Sequence, residues 1–522
     1  MPHDVIIIGS GFGGAVHACR LAKAGRSVLV LERGRRWHPD DYPRTADDPW
    51  FYDPVHPERH NGWLDLRPLG EVWVAQGAGV GGGSLIYANV SIDAKPDAFN
   101  VGWPVEITYP TLKPYYDRVA AVLMPQQLPD NQLTPRFRLM QDAARATGAE
   151  ARFRKLDLAV SFDPDGQFPA TRPTSEVAQH SFINAHGRKQ GYCVHAGNCE
   201  IGCKAQARNT LDLNYLAMAE DDGAVISPLS VVSHITAEGK GFAVSYDQIV
   251  DGHRVPRVAR AARVVLAAGS LGSTEILFRS RDGFGGLPNV SRALGLNWST
   301  NGDFLTPAFY KDRELSPSVG PTITAAIDFL DGSDNGARYF VEDGGFPDVL
   351  GNLARSTSRA RSLRGRLLAR LARALDDGDP LENMMPWFGQ SMDGGAGRLS
   401  WRRQWLTPWR KSLRLDWPEA RAERGIGGLI AAHKRLSEAT GGRWLVPPTW
   451  SVLRALVTPH PLGGCGMAAS PAAGVTDHLG RVFGHPGLVV SDGSIFSRPI
   501  GLNPSKTIAA LAERSAEAMA AE

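Results

Sequence analysis

The stretch Asp4-Val5-Ile6-Ile7-Ile8-Gly9-Ser10-Gly11-Phe12-Gly13-Gly14 decides the architecture, because a short apolar run passes straight into a Gly-x-Gly-x-x-Gly turn and an amphipathic stretch through Ala24. That pattern predicts strand, tight turn and helix. Gly9 permits the turn, Gly11 lets the backbone approach a pyrophosphate, and Gly14 lets helix and strand pack closely, so that phosphates sit at a helix N-terminus. A second apolar run, Ser27 to Leu31, ends at Glu32, 18 residues past Gly14. An acid there accepts hydrogen bonds from a ribose 2′-hydroxyl, which favours FAD or NAD over NADP. The motif alone also suits a ligand-free glycine turn; strand, helix and terminal acid together carry the nucleotide reading.

Three further segments repeat this logic. Gly77-Ala78-Gly79-Val80-Gly81-Gly82-Gly83-Ser84, followed by Leu85-Ile86-Tyr87-Ala88-Asn89, suits backbone passing close to a large flat ligand, with a flexible loop as the alternative. Arg263 to Ala268 is strand-like and meets Gly269-Ser270-Leu271-Gly272-Ser273, with a helix pattern from Thr274. His460-Pro461-Leu462-Gly463-Gly464-Cys465, Ser491-Asp492-Gly493-Ser494 and Asn503-Pro504 lie more than 440 residues beyond the first fingerprint. The two chain ends are expected to build one active site.

A chain of 522 residues with 43% apolar composition is long enough for about three domain-sized units, and two interleaved ones fit the recurrence of the glycine motifs better. The expected nucleotide-binding segments are 1–105, 191–309 and 456–522, with 106–190 and 310–455 forming a substrate unit. Net charge is +3, from 57 basic and 54 acidic side chains, too small to argue for nucleic acid. The first strand starts at residue 4 and no apolar run approaches ~18 residues, so a cytoplasmic protein is expected. Five cysteines without a disulfide spacing agree with a reducing compartment. Cys193, Cys199 and Cys203, with His195, have spacings open to iron or zinc, but the fourth-ligand pattern of a structural zinc site is missing, buried thiols pack well as apolar groups, and no metal is assigned.

Residues 355 to 375 carry seven arginines, with Leu363, Leu367, Leu371 and Leu375 at every fourth position, which predicts a basic amphipathic helix. It either covers the substrate unit or makes peripheral contact with an anionic membrane. Trp387, Trp401, Trp405, Trp409 and Trp417 follow, as cavity lining or as core, and favour a hydrophobic alcohol over a sugar.

Together the N-terminal fingerprint, the block Gly79 to Leu85 and the run His460 to Asn503 resemble the glucose-methanol-choline oxidoreductases, a family of FAD enzymes, most closely the cholesterol oxidase branch. The resemblance implies an α/β fold: a Rossmann-like FAD-binding domain assembled from separated segments, and an interleaved α+β substrate domain on a mostly antiparallel sheet. It places adenosine near Glu32 and Val232, and the flavin ring near Gly82, Gly83, Asp492, Gly493, Asn503 and Pro504. Members of the branch carry an asparagine three residues after the serine of the glycine block; here Tyr87 stands there, and Asn89 is close enough to substitute. There is no family-type histidine tether, so FAD is expected to bind noncovalently.

By the same resemblance His460 is the base and Asn503 the orienting amide for a sterol or other bulky lipid alcohol, with oxygen or another acceptor taking the electrons. A neutral imidazole suits that role, because its ordinary pKa of ~6.5 lies near working pH and general-base catalysis contributes about 100- to 10,000-fold. Glu342, in Tyr339-Phe340-Val341-Glu342-Asp343, resembles a carboxylate that moves a proton during double-bond migration, with an exposed turn acid, or a role for Asp343 instead, as alternatives. A NAD-dependent dehydrogenase, in which the block Asp492 to Pro504 has no role, and an electron-relay or binding flavoprotein, suggested by the cysteine cluster, are rival functions.

Overall fold

The computed structural model describes residues 3–347, 381–392, 394–404, 411–447 and 456–522, with Val349 and Trp450. Its first sheet runs in the order Val225–Ser227, Val28–Leu31, His3–Ile8, His253–Leu266, Gly241–Val250, Ser230–Glu238, with Leu488–Val490 also paired to His253–Leu266. Pairings around His3–Ile8 are parallel. Every residue of Val28–Leu31 is buried, as expected where both faces of a parallel sheet are covered.

The first helix spans Phe12–Lys23, with Arg20 and Lys23 in its last turn and Gly25 in the left-handed region just beyond it. Its burial departs from the one-faced pattern expected, because nearly every residue from Phe12 to Ala22 is buried. The C-terminal helix Ser505–Ala520 covers the side that would otherwise face water. Arg20 donates both Nε and Nη2 to Glu513, at 2.7 and 2.6 Å, and Tyr215 Oη adds a third bond to that carboxylate at 2.7 Å. The two chain ends therefore pack as one layer.

Two local expectations shift. The strand expected over Arg263 to Ala268 begins at His253, because its first half pairs with Gly241–Val250 through an Asp251-Gly252 turn whose residues both have positive φ. The helix expected from Thr274 begins at Gly269. Asp492 Oδ2 accepts from Gly269 N at 2.9 Å and from Ser273 Oγ at 2.5 Å. That partner lies more than 200 residues away, so no local pattern announces it.

The second sheet, in the order Arg443–Trp444, Phe304–Phe309, Met384–Ser391, Tyr339–Glu342, Ala325–Asp328, Phe153–Lys155, is antiparallel throughout. Helices Pro135–Ala146 and Glu419–Ala439 pack behind it over a core that includes Phe137, Tyr339, Trp387 and Leu429. Residues 106–190, expected to belong wholly to this unit, divide. Helix Tyr109–Leu123 packs on the C-terminal helix instead, with Tyr116 Oη 2.8 Å from Thr507 Oγ1. A small third sheet joins the hairpin Leu64–Leu69/Val72–Gly77 to Leu456–Thr458.

Trp387 is fully buried, and Trp401 and Trp417 pack against the cores. Trp405, Trp409 and the basic stretch 355–375 lie outside the described residues. Among the described residues no helix is long and apolar enough to cross a membrane.

Candidate active site

One cavity of about 970 Å³ runs between the two sheets, from Glu32 and Val232 at one end to His460 at the other. That is the upper end of the ~300–1,000 Å³ range of ligand sites, as suits a cofactor and a substrate held end to end. The glycine turn forms its floor. A Cβ on Gly13 would collide with the Ser491 carbonyl oxygen, whereas one on Gly11 would meet only Gly82 Cα, at 4.0 Å, and one on Gly83 would meet open space. The first helix has Gly11 as its N-cap, no side-chain cap and no acid in its first turn, so its leading N–H groups are left for an anionic ligand.

Glu32 lines the nucleotide end. Its Oε2 accepts from Ser10 N at 3.0 Å and Ser10 Oγ at 2.7 Å, and its Oε1 from Gly34 N at 2.9 Å. Burial raises its pKa against the pull of those donors. Ser10 Oγ also accepts from Gly81 N at 3.1 Å, tying the fingerprint to the second glycine cluster. Phe12, Gly82, Gly269, Asp492, Gly493 and Pro504 reach the same wall. Asp492, whose Oδ1 also accepts from Ser494 N at 2.8 Å, has a pKa raised by burial.

Four expected contacts do not reach the cavity wall. Gly14 packs on the Gly9 carbonyl, Gly79 packs on Trp37, and Ser84 Oγ donates to Gly81 O at 2.8 Å, so these three shape the cradle from behind. Asn89 is fully buried and accepts from Arg208 Nε at 2.6 Å. Its Nδ2 has no partner among the described residues. Tyr87 takes that stretch of wall, with Oη donating to Asn209 O at 3.1 Å and its ring edge-on to Phe12 at 5.6 Å.

The histidine loop is built by pairing from both sides. Leu456–Thr458 lies alongside Val72–Val74, and Leu462 exchanges backbone hydrogen bonds with Ser299 at 2.9 and 3.0 Å. Between these anchors His460 Nδ1 lies 2.8 Å from Asp303 Oδ1, while Asp303 Oδ2 accepts from Thr458 Oγ1 at 2.6 Å and His460 N at 3.2 Å. The Asp303 side chain is 0% exposed and that of His460 17%, so the carboxylate is dry and only the imidazole reaches the cavity. An ionised carboxylate only accepts, so Nδ1 carries the proton and Nε2 is left as an acceptor toward the cavity. Burial favours neutral imidazole, but Asp303, Glu342 and Glu200 outweigh it and raise the His460 pKa above its ordinary 6.5.

Asn503 lines the cavity just before the C-terminal helix. Its loop is held by Asn301, which donates Nδ2 to Leu502 O at 2.9 Å and accepts from Ile500 N and Gly501 N at 3.2 and 3.0 Å. The turn Thr300–Asp303 thus positions both Asn503 and His460. Neither Asn301 nor Asp303 stands out in the sequence, where they read as an ordinary Asn-Gly-Asp turn before a strand.

Glu342 is fully buried in its strand rather than exposed in a turn, and it lies behind the wall rather than on it. Its Oε2 accepts from Gln390 Nε2 at 2.8 Å, its Oε1 has no partner, and Asn503 and His460 are its polar neighbours. Burial pushes its carboxyl up to about 7. Asp343 points elsewhere, accepting from Thr324 N and Ala325 N at 2.6 and 2.8 Å. Cys193, Cys199 and Cys203 are free thiols, and among the described residues no group of three His, Cys, Asp or Glu side chains is arranged to hold a metal ion.

Residues 4–299 match the N-terminal family model described as GMC oxidoreductase, and residues 449–512 match its C-terminal counterpart. A cholesterol oxidase of Acinetobacter baumannii is 28% identical, the match covering 98% of this chain and 93% of that protein. A cholesterol oxidase of Mycobacterium tuberculosis is 29% identical over 98% of this chain and 90% of its own length. The crystal structure of a pyridoxine 4-oxidase from Mesorbium loti superposes with a TM-score of 0.65 at 17% identity, over 100% of this chain and 99% of that one, and attests the shared fold. The N-terminal match alone covers more than half of the 522 residues, so the chain belongs to the GMC oxidoreductase family, and its glycine-floored cradle is that of an FAD-dependent enzyme acting on CH–OH groups.

Proposed function

We propose that the protein oxidises the hydroxyl of a bulky, largely apolar alcohol, a 3-hydroxysteroid, sterol or lipid alcohol of similar size, to a carbonyl. The observation that carries this reading is a single imidazole, oriented by a buried carboxylate, on an apolar wall beside the cofactor cradle. The Phe388 ring lies 6.4 Å from that of His460, and Leu305, Ile323, Phe346 and Val457 continue the wall. The names of the two bacterial relatives support a sterol in that space.

FAD would be held by Gly11, Gly82 and Gly83, with Glu32 toward its adenosine and Asp492 and Gly493 toward its flavin, and would supply the hydride acceptor. His460 Nε2 accepts the proton of the substrate hydroxyl, and Asp303 fixes the tautomer that makes this possible and stabilises the imidazolium that results. Asn503 orients the same hydroxyl through its side-chain amide. Glu342 lies one layer back, beside Asn503 and His460, rather than touching the substrate. Oxygen or another acceptor would take up the electrons.

Anaerobic flavin reduction against sterols, long-chain alcohols and sugars tests the assignment. Sterols or long-chain alcohols of matching bulk should bleach the flavin absorbance fastest; a preference for sugars would overturn it.

A further inference from the structure

One ionisable side chain on the cavity wall has no part in the chemistry above. Glu200 stands in the short turn Cys199–Ile201, and its carboxyl faces the cavity together with Ile201. The turn is clamped from behind. Trp63 Nε1 donates to the Glu200 carbonyl oxygen at 2.9 Å, and Arg44 donates to the carbonyls of Ile201 and Gly202 at 2.7 and 2.6 Å. A Cβ on Gly202 would run into the Tyr42 ring, so the backbone lies flat on that side chain. These contacts fix the backbone from which the Glu200 side chain projects.

Inside the cavity the carboxyl has two charged neighbours, Arg208 and His460, and both act on it only through space. The Arg208 guanidinium is already committed to the carbonyls of Ser84, Leu85 and Tyr87 and to Asn89. His460 Nδ1 is committed to Asp303. Glu200 is part-buried; among the described residues no donor reaches its carboxyl, and a ligand that brings one gains a charge-assisted hydrogen bond. Asp303, Glu342 and Glu200 all act on His460.

We propose that Glu200 is a specificity-determining residue: its carboxyl receives a second hydrogen-bond donor of the substrate, a hydroxyl or an ammonium group separate from the hydroxyl that His460 deprotonates. The preferred substrate is then a bulky apolar alcohol bearing one further polar donor. This rests on the alcohol-oxidation reading above and narrows its substrate class.

The test uses the FAD-loaded protein and three sterols of one skeleton: a monohydroxy compound, one with a second hydroxyl close to the reacting one, and one with an amine at that same position. Anaerobic flavin reduction gives the ratio of kcat/KM between donor-bearing and monohydroxy substrates for wild type, Glu200→Gln and Glu200→Leu, and the flavin absorbance spectrum reports cofactor integrity. Wild type should prefer a donor-bearing sterol, and Glu200→Leu should cut that ratio by about 10- to 100-fold, through KM, with an unaltered spectrum. Glu200→Gln should keep the diol preference and lose the amine preference. A ratio that survives Glu200→Leu overturns the proposal. So does an altered flavin spectrum with selectivity intact, which would give the carboxyl to the cofactor. If none of the three reduces wild-type flavin, the sterol reading fails first and this proposal with it; if wild type reduces with all three at equal efficiency, only this proposal fails.

Discussion

His460 Nδ1 and Asp303 Oδ1 lie 2.8 Å apart, joining the C-terminal histidine loop to a turn 157 residues upstream. The carboxylate is buried and accepts two further hydrogen bonds from the loop it orients. The pair therefore sets three properties of the imidazole at once: its direction, its tautomer and its proton affinity.

Replacing the carboxylate separates these effects. Asp303→Asn keeps the shape but can leave the imidazole in the wrong tautomer, so the rate of alcohol-driven flavin reduction should fall by about 100- to 10,000-fold. Stopped-flow absorbance on the FAD-loaded variant checks this, and an unchanged flavin spectrum shows that the loss is in chemistry rather than in cofactor binding.

The pH dependence has a fixed sign. The His460 pKa is raised above 6.5 in the folded protein, and the base works only when neutral. The reduction rate should climb as pH rises through that elevated value and then level off. Removing Asp303 removes one of the interactions that raise it, so the residual activity of Asp303→Asn should rise at lower pH than that of wild type.

Glu342 leaves a mark on stability. Its carboxyl titrates near 7 folded against an ordinary 4.5, so the folded state holds its proton more tightly than the unfolded chain does. The stabilisation is fully present below about pH 4.5 and is lost as pH rises through about 7, an effect on the order of 3 kcal/mol. Urea unfolding across pH 4.5 to 8 should show this decline in wild type and a flatter profile in Glu342→Gln.

The cradle distinguishes two glycine substitutions. A Cβ at Gly11 is in ordinary contact with Gly82 and clashes with nothing, so Gly11→Val should fold and purify without flavin absorbance. A side chain at Gly13 collides with the Ser491 carbonyl, so Gly13→Val should lower the melting temperature as well. Circular dichroism and visible absorbance of both variants check the pair.

The chain ends are held by a bidentate ion pair whose acid is fully buried. Glu513→Ala leaves Arg20 and Tyr215 without their partner and should cost about 2–3 kcal/mol in chemical denaturation, the lower side of the range for buried pairs because Arg20 is 25% exposed.

Much of this architecture is legible in the residues because its signals are local. Strand, glycine turn and helix at 3–23 follow from four apolar residues and a steric requirement for glycine, and the C-terminal block carries its own glycines and prolines. What escapes is set by partners distant in sequence. Asp303 and Asn301 look like a common turn until folding brings residues 460 and 500–502 against them. Asn89 is close to the cavity in sequence but is claimed by Arg208. Gly269 starts a helix early only because Asp492 caps it from the other end of the chain. The tryptophan run reads equally as lining or core, and burial of Trp387 needs the second sheet to decide it.

In the proposed reaction the imidazole of residue 460 is the base that drives alcohol oxidation. Anaerobic single-turnover reduction of bound FAD by a 3-hydroxysterol, compared between wild type and His460→Ala at equal flavin occupancy, decides whether it is. Wild type should bleach rapidly and the variant at a rate at least about 100-fold lower. Bleaching at the same rate in both would remove His460 from the chemistry.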